Sequence, residues 1–165
     1  MPKLIILRGN SGSGKTSVAK ALQRKFGRNT MVISQDTVRR EMLWAKDGEG
    51  TKALPLLIHL LKYGRQNSEI TILEGILYSD CYRPLFEAAV EEFGCDIFAY
   101  YYDLPFEETL LRHSTKKEKF DFGEEHIRKW WREKDYLTLI PETILRKDLS
   151  LQDTVAMIFH AASTV

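Results

Sequence analysis

Short apolar runs alternate along this chain with longer stretches in which apolar positions recur every three or four residues. The runs predict five strands, at 3–8, 30–34, 69–74, 96–103 and 142–145. The first, third and fourth are continuous enough for a sheet buried on both faces. The helical periods predict helices at 15–26, 35–44, 51–63, 80–93, 105–113, 123–134 and 150–162. Leu54, Leu57, Ile58 and Leu61 fall on one face of the third helix, and Leu151, Val155, Ile158 and Ala162 on one face of the last. Ser150 with Asp153 forms a start like a capping box, and Pro105 opens its helix where a missing N–H costs nothing. Alternating strands and helices imply a parallel sheet with helices on both faces.

Composition bounds the rest. A chain of 165 residues is expected to form a single domain over 1–165, with a core that needs neither disulfide nor metal. The hydrophobic share of 44% and charged share of 28% are those of an ordinary globule. A formal net charge of +1 argues against a dominant nucleic-acid surface and leaves room only for a local basic groove. The start Met1-Pro2-Lys3-Leu4 lacks a signal-peptide layout, and no apolar stretch reaches the length of a membrane span. A cytoplasmic protein without a membrane partner is therefore expected. Cys81 and Cys95 have no metal-ligand spacing and read as reduced thiols. His59, His113, His126 and His160 show no metal spacing and no evident triad partner.

Ligands of parallel sheets bind at the carboxyl ends of the strands. After the first strand stand Gly9, Asn10, Ser11, Gly12, Ser13, Gly14, Lys15 and Thr16, a full match to G-x-x-x-x-G-K-[ST]. A glycine loop between a buried strand and a helix N-terminus turns several N–H groups toward one point, and the helix dipole adds positive potential there. These eight residues, with Ser17, are the expected binding set for ATP. Lys15 would reach the β- and γ-phosphates, and the Thr16 hydroxyl would ligate Mg²⁺. The alternative is a glycine turn that merely joins strand to helix.

The second strand is followed by Asp36 and, one helical turn on, Arg39. Asp36 would face the γ-phosphate across the cleft and take or orient the proton of an attacking hydroxyl. It can equally cap the second helix. Arg39 would hold a phosphate or the acceptor. Glu74, at the end of the third strand, either contacts the acceptor, or holds a magnesium-bound water as Asp36 also can, or simply faces water. Residues 45–51 read as a mobile acidic loop. A second irregular stretch, 114–123, is expected to act as a lid, with Arg112 pointing inward to stabilise transferring charge. Of Lys116, Lys117 and Lys119 in that stretch, at least two fit a solvated basic run. Arg128 and Arg132 would share a helical face, beside Trp130 and Trp131 in the cleft or the core.

These residues together resemble the P-loop kinases of nucleosides, nucleotides and small molecules. The resemblance rests on Gly9–Thr16, Asp36 with Arg39, Glu74-Gly75 and a basic lid beginning at Arg112. The segment Val32-Ile33-Ser34-Gln35-Asp36 is similar to uridine kinases, in which the Asp is the catalytic base. Asp36-Thr37-Val38-Arg39 is similar to the D-x-x-R of polynucleotide 5′-hydroxyl kinases, a group that includes zeta-type toxins and chloramphenicol phosphotransferases. The resemblance implies a three-layer α/β fold with strand order 2-3-1-4-5. It also implies a kinase moving the ATP γ-phosphate to a hydroxyl of a small molecule or nucleoside, with Lys15, Asp36 and Arg112 catalytic. The aromatic-and-histidine acceptor stretch of uridine kinases is absent, and Tyr100-Tyr101-Tyr102-Asp103 stands where a GTPase carries N-K-x-D. The alternatives are phosphorylation of an oligonucleotide 5′ end or of a UDP-sugar and, from another class, a nucleotide-binding regulator or slow ATPase.

Overall fold

A computed structural model describes residues 1–114 and 123–164. Its framework is one parallel sheet of five strands in the order β2-β3-β1-β4-β5. The strands are β1 (Lys3–Gly9), β2 (Met31–Ser34), β3 (Ile70–Gly75), β4 (Ile97–Tyr102) and β5 (Glu142–Leu145). The alternation and the order expected above are both present. Leu7 of β1 lies beside Glu74 of β3, which in turn lies beside Ser34 of β2. The carboxyl ends of these three strands therefore finish side by side.

Side chains alternate across a strand, so β1 feeds two cores. Leu4 and Ile6 join Ile33 and Leu73 beneath α2 (Ala53–Asn67) and α3 (Arg83–Phe93). Ile5 and Leu7 join Ile72 and Tyr100 beneath α1 (Lys15–Phe26) and α6 (Leu151–Ser163). All four β1 side chains are wholly buried, and each contributes about 1.5–3 kcal/mol relative to exposure. Of the α2 stripe, Leu57 and Leu61 are buried while Leu54 and Ile58 pack partly exposed against the core. On α6 the stripe holds for Val155, Ile158 and Ala162, but Leu151 is exposed at the first turn. Ser150 caps that helix by accepting from the Asp153 N–H at 3.0 Å.

Two predicted helices differ. The segment 35–44 is not a regular α-helix: Thr37–Met42 is a π-helical turn in which the Leu43 N–H bonds the Val38 carbonyl. The wider turn ends at Trp44, whose φ of 47° breaks the helix. The helix expected at 123–134 is α5 (Glu124–Trp130), and Trp131 is already extended. Arg128 and Arg132 therefore do not share a helical face, because Arg132 lies beyond the helix end. α4 (Phe106–Ser114) precedes it, with the Pro105 carbonyl accepting from the Glu108 and Thr109 N–H groups.

A charge sits deep inside this fold. Arg8, the last side chain of β1 before the glycine loop, is completely buried. Its Nη1 donates to Glu142 at 2.7 Å, its Nη2 to Asp135 at 3.0 Å, and its Nε to the Leu77 carbonyl at 3.0 Å. Its guanidinium carbon lies 5.3 Å from the Phe86 ring centre and 5.4 Å from that of Tyr101. A buried guanidinium is tolerable only with such full pairing.

Candidate active site

The glycine loop leaves β1 and enters α1 through Gly14, whose left-handed backbone (φ 99°) turns the chain into the helix. The first turn of α1 has no side-chain cap and no acidic residue, so no carboxylate competes for its positive end. Such an end attracts an anion. Gly12 has φ 81°, and a Cβ there would stand 2.6 Å from the Thr109 carbonyl oxygen of α4. Glycine is therefore needed for α4 to pack on the loop.

Lys15 is buried, and its Nζ donates to the Asn10 carbonyl at 2.8 Å and to Ser13 Oγ at 3.0 Å. The ammonium thus lies within the loop that would cradle phosphates. Thr16 and Ser17 are exposed on the first turn of α1. The Thr16 hydroxyl donates to Glu74 Oε1 at 3.1 Å. Glu74 is buried, so the reading in which it faces water is corrected: Thr16 and the strands around it cover it. Arg112, at the end of α4, turns inward as expected, giving Nη1 to the Ser13 carbonyl at 2.7 Å and Nε to Glu108 at 3.0 Å.

Asp36 stands two residues past Ser34, on the strand two places from β1. Adjacent strands are about 4.8 Å apart, which sets Asp36 roughly 10 Å across from the glycine loop. Its side chain is 62% exposed and pairs with Arg39 at 3.7 Å and Arg40 at 3.9 Å. It makes no capping hydrogen bond, so the capping alternative is not realised; Ser34 Oγ instead accepts from the Thr37 N–H at 3.5 Å. Arg39 is shared with Asp47 at 3.9 Å.

The acidic loop at 45–51 is fastened rather than loose. Asp47 accepts from the Tyr82 hydroxyl at 2.5 Å and from Gln35 Nε2 at 3.4 Å, and Gln35 Nε2 also donates to the Tyr82 oxygen at 2.8 Å. Burial, and then the Asp47 carboxylate, push the Tyr82 phenol far above its ordinary value. Gly75 permits this network, since a Cβ there would lie 2.5 Å from Gln35 Oε1.

Residues 130–135 complete the rim. The Arg132 guanidinium stacks 3.9 Å from the Tyr78 ring centre and donates to Asp80 at 2.7 Å. The hydrogen bond from Arg132 holds the Asp80 carboxyl below its ordinary value of 3.8, at about 2. Arg40 lies over the Trp130 ring at 5.7 Å, and the Trp131 ring meets Phe106 edge-on at 5.2 Å. Beyond Asn10, at the ends of β4 and β5, opens a cavity of about 640 Å³ lined in part by Tyr102, Phe106, Trp131 and Arg146.

The structure thus brings Lys15, Thr16, Glu74 and Arg112 to one loop and sets Asp36 with Arg39 across from them. Arg8, Asp47, Tyr82 and Asp135 were missed by sequence reasoning. A charge ending an apolar strand was the one signal for Arg8. Ser114 and Gly123 are the ends of the expected lid, but its residues 115–122, including Lys116, Lys117 and Lys119, lie outside the described residues. Among the described residues no group of three or more His, Cys, Asp or Glu could cage a metal, and no helix is long and apolar enough to cross a membrane.

Comparison with known proteins agrees with this geometry. Residues 4–135 match the model of a family described as AAA domain. No curated protein matches significantly in sequence. Among solved structures, a gluconokinase from Sinorhizobium meliloti superposes with a TM-score of 0.71 at 15% identity, covering 98% of this chain and 92% of that one. The APS kinase of Mycobacterium tuberculosis, in complex with AMPPNP and APS, gives 0.67 at 20% identity, covering 99% and 98%. Shikimate kinase from Aquifex aeolicus gives 0.54 at 20% identity, covering 97% and 96%. With the glycine loop, the sheet order and a family match over most of its length, this chain belongs to the AAA domain family and has the P-loop kinase fold.

Proposed function

We propose that the protein is a kinase that transfers the γ-phosphate of ATP to a hydroxyl of a small molecule. The observation that carries this reading is the Thr16–Glu74 hydrogen bond, which pairs a hydroxyl and a carboxylate at the mouth of the loop, with Asp36 one strand further along. Thr16 and Glu74 are the hard oxygen donors that suit Mg²⁺ alongside phosphate oxygens and water. Thr16 would hold the ion directly and Glu74 through Thr16 or a water. Bound there, Mg²⁺ would supply charge neutralisation for the transferring phosphate.

The protein's own groups do the rest. The N–H groups at the start of α1 bind the polyphosphate, and Lys15 leaves the Asn10 carbonyl to follow the transferring group. Asp36 accepts the proton of the acceptor hydroxyl while that hydroxyl's oxygen bonds the γ-phosphorus and the bond to the β-phosphate oxygen breaks, releasing ADP. Arg39 and Arg40 hold the Asp36 carboxylate in place. Arg112, already on the loop, offers charge to the equatorial oxygens.

The related folds act on small molecules by their names, gluconate and shikimate kinases among them, which supports a small acceptor here. Within that class a nucleoside acceptor is favoured by the ring-stacked guanidiniums of Arg132 and Arg40, on which a flat base can stack. The test is ADP release from ATP and Mg²⁺ across nucleosides, sugars, aminoglycosides, UDP-sugars and 5′-hydroxyl oligonucleotides, with Lys15→Ala as the blank. One acceptor class should raise turnover well above the acceptor-free rate. ADP release that no acceptor stimulates would replace the kinase reading with an ATPase.

A further inference from the structure

One side chain of the glycine loop is committed away from any phosphate. Asn10 is buried, and both ends of its carboxamide are taken by the backbone of Arg132: Nδ2 donates to the Arg132 carbonyl at 2.6 Å, and Oδ1 accepts from the Arg132 N–H at 2.8 Å. The segment so gripped is also fastened to the loop that follows β3. Tyr78 Oη donates to the Trp130 carbonyl at 2.8 Å, Arg132 reaches Asp80 at 2.7 Å, and Asp135 accepts from Ser79 N–H at 2.9 Å and Ser79 Oγ at 2.6 Å. Residues 130–135 therefore bridge the loop after β1 and the loop after β3. Arg8 also holds Asp135, but Arg8 belongs to β1, which is fixed in the sheet. Asn10 belongs to the loop that a ligand would reorder. Its own carbonyl is the acceptor of the Lys15 ammonium at 2.8 Å. A polyphosphate that draws Lys15 away changes the bonding of the Asn10 peptide directly.

We infer that Asn10 is a positioning residue: its carboxamide passes occupancy of the glycine loop to residues 130–135 and, through them, to the Tyr78–Asp80 side of the acceptor cleft. The inference rests on the reading of Gly9–Thr16 as a nucleotide loop. It assigns Asn10 no contact with the nucleotide through its side chain. Loading the loop sets the position of Arg132 and Asp135, and hence of the rim on which an acceptor would rest.

Trp130 and Trp131 report on this segment without any acceptor. The third tryptophan, Trp44, is 93% exposed and is removed by Trp44→Phe, which serves as the parent. The probe is AMPPNP with Mg²⁺, its Kd measured by calorimetry and the emission of the two remaining tryptophans followed in the same titration. In the parent, saturation should change the emission. Adding Asn10→Ala should remove most of that change at AMPPNP concentrations that saturate the variant, as set by its own calorimetric Kd. Asn10→Asp separates positioning from folding. A neutral carboxyl keeps one donor and one acceptor for Arg132, whereas a carboxylate opposes the Arg132 carbonyl. The response of that variant should be absent near about pH 8 and return as the carboxyl protonates toward about pH 5. A full emission response in saturated Asn10→Ala would overturn the inference, as would a parent that binds AMPPNP with no emission change. Loss of AMPPNP affinity in step with the response would make Asn10 a nucleotide contact instead. If Asn10→Ala fails to fold, a parent-like response of Asn10→Asp at every pH decides against it. A parent that binds no AMPPNP by calorimetry removes the nucleotide reading itself, a result distinct from all of these.

Discussion

The Thr16 hydroxyl donates to Glu74 Oε1 at 3.1 Å, joining the first turn of α1 to the end of β3 across 58 positions of sequence. The requirement for this bond is on one side only: Glu74 is a buried carboxylate and needs a donor, whereas Thr16 lies on an exposed turn. The bond commits the hydroxyl proton to Glu74, so the Thr16 oxygen is left to act as an acceptor or ligand.

Glu74→Gln keeps an acceptor for Thr16 and removes the charge. Outer partners of a metal ligand typically carry 10–100-fold in affinity or activity. The variant should therefore need about 10-fold or more additional Mg²⁺ for half-maximal turnover, with little change in Tm. A Mg²⁺ titration of ADP release measures this, and an unchanged requirement would remove Glu74 from the metal's surroundings.

Asp36→Asn separates catalysis from folding. Asp36 makes no capping bond and its pairs with Arg39 and Arg40 are solvent-facing, so Tm should barely move. As general base its loss should lower kcat by about 10²–10⁴-fold with ATP affinity nearly kept. Wild-type transfer by a stable Asp36→Asn protein would shift the search for the base to Glu74 or Asp103.

Arg8→Met should destabilise the fold by about 3–5 kcal/mol, because it leaves Glu142 and Asp135 without their buried cation. A triple variant with Glu142→Gln and Asp135→Asn should recover part of the loss. Denaturant midpoints at fixed m-value provide the comparison. A single variant as stable as the parent would mean that water compensates the two carboxylates.

The Asp80 carboxyl should titrate near 2, observed by its carboxyl carbon shift, and move toward its ordinary 3.8 in Arg132→Ala. The sign follows from a folded value below the unfolded one. Whatever stability the pair adds is present above the ordinary value and disappears as pH falls through about 2. The side chain of Asp80 is largely exposed, so the effect on Tm should be small. A titration near the ordinary value in the parent would show that the Arg132 contact is not maintained in solution.

The chain alone determined the strand–helix alternation and the phosphate loop, because both are local. An apolar run, a glycine pattern and a helix start are written in neighbouring residues, and the parallel sheet follows from their sequence. The positions of Lys15, Thr16, Asp36, Glu74 and Arg112 were legible for the same reason: each stands at or just past the end of a predicted strand, or at a helix end. Only the tertiary structure decided what those residues touch. Glu74 is buried and bonded to Thr16, Asp36 is not a cap, and the turn after it is π-helical and stops at Trp44, whose φ is positive. The carboxylate partners of Arg8 and the partner of the Asn10 side chain lie more than a hundred positions away, at Asp135, Glu142 and Arg132. No periodicity connects such residues. They meet because β5 closes the sheet beside β4, which brings residues 130–142 back over the end of β1, where a buried charge and a buried amide had to find partners.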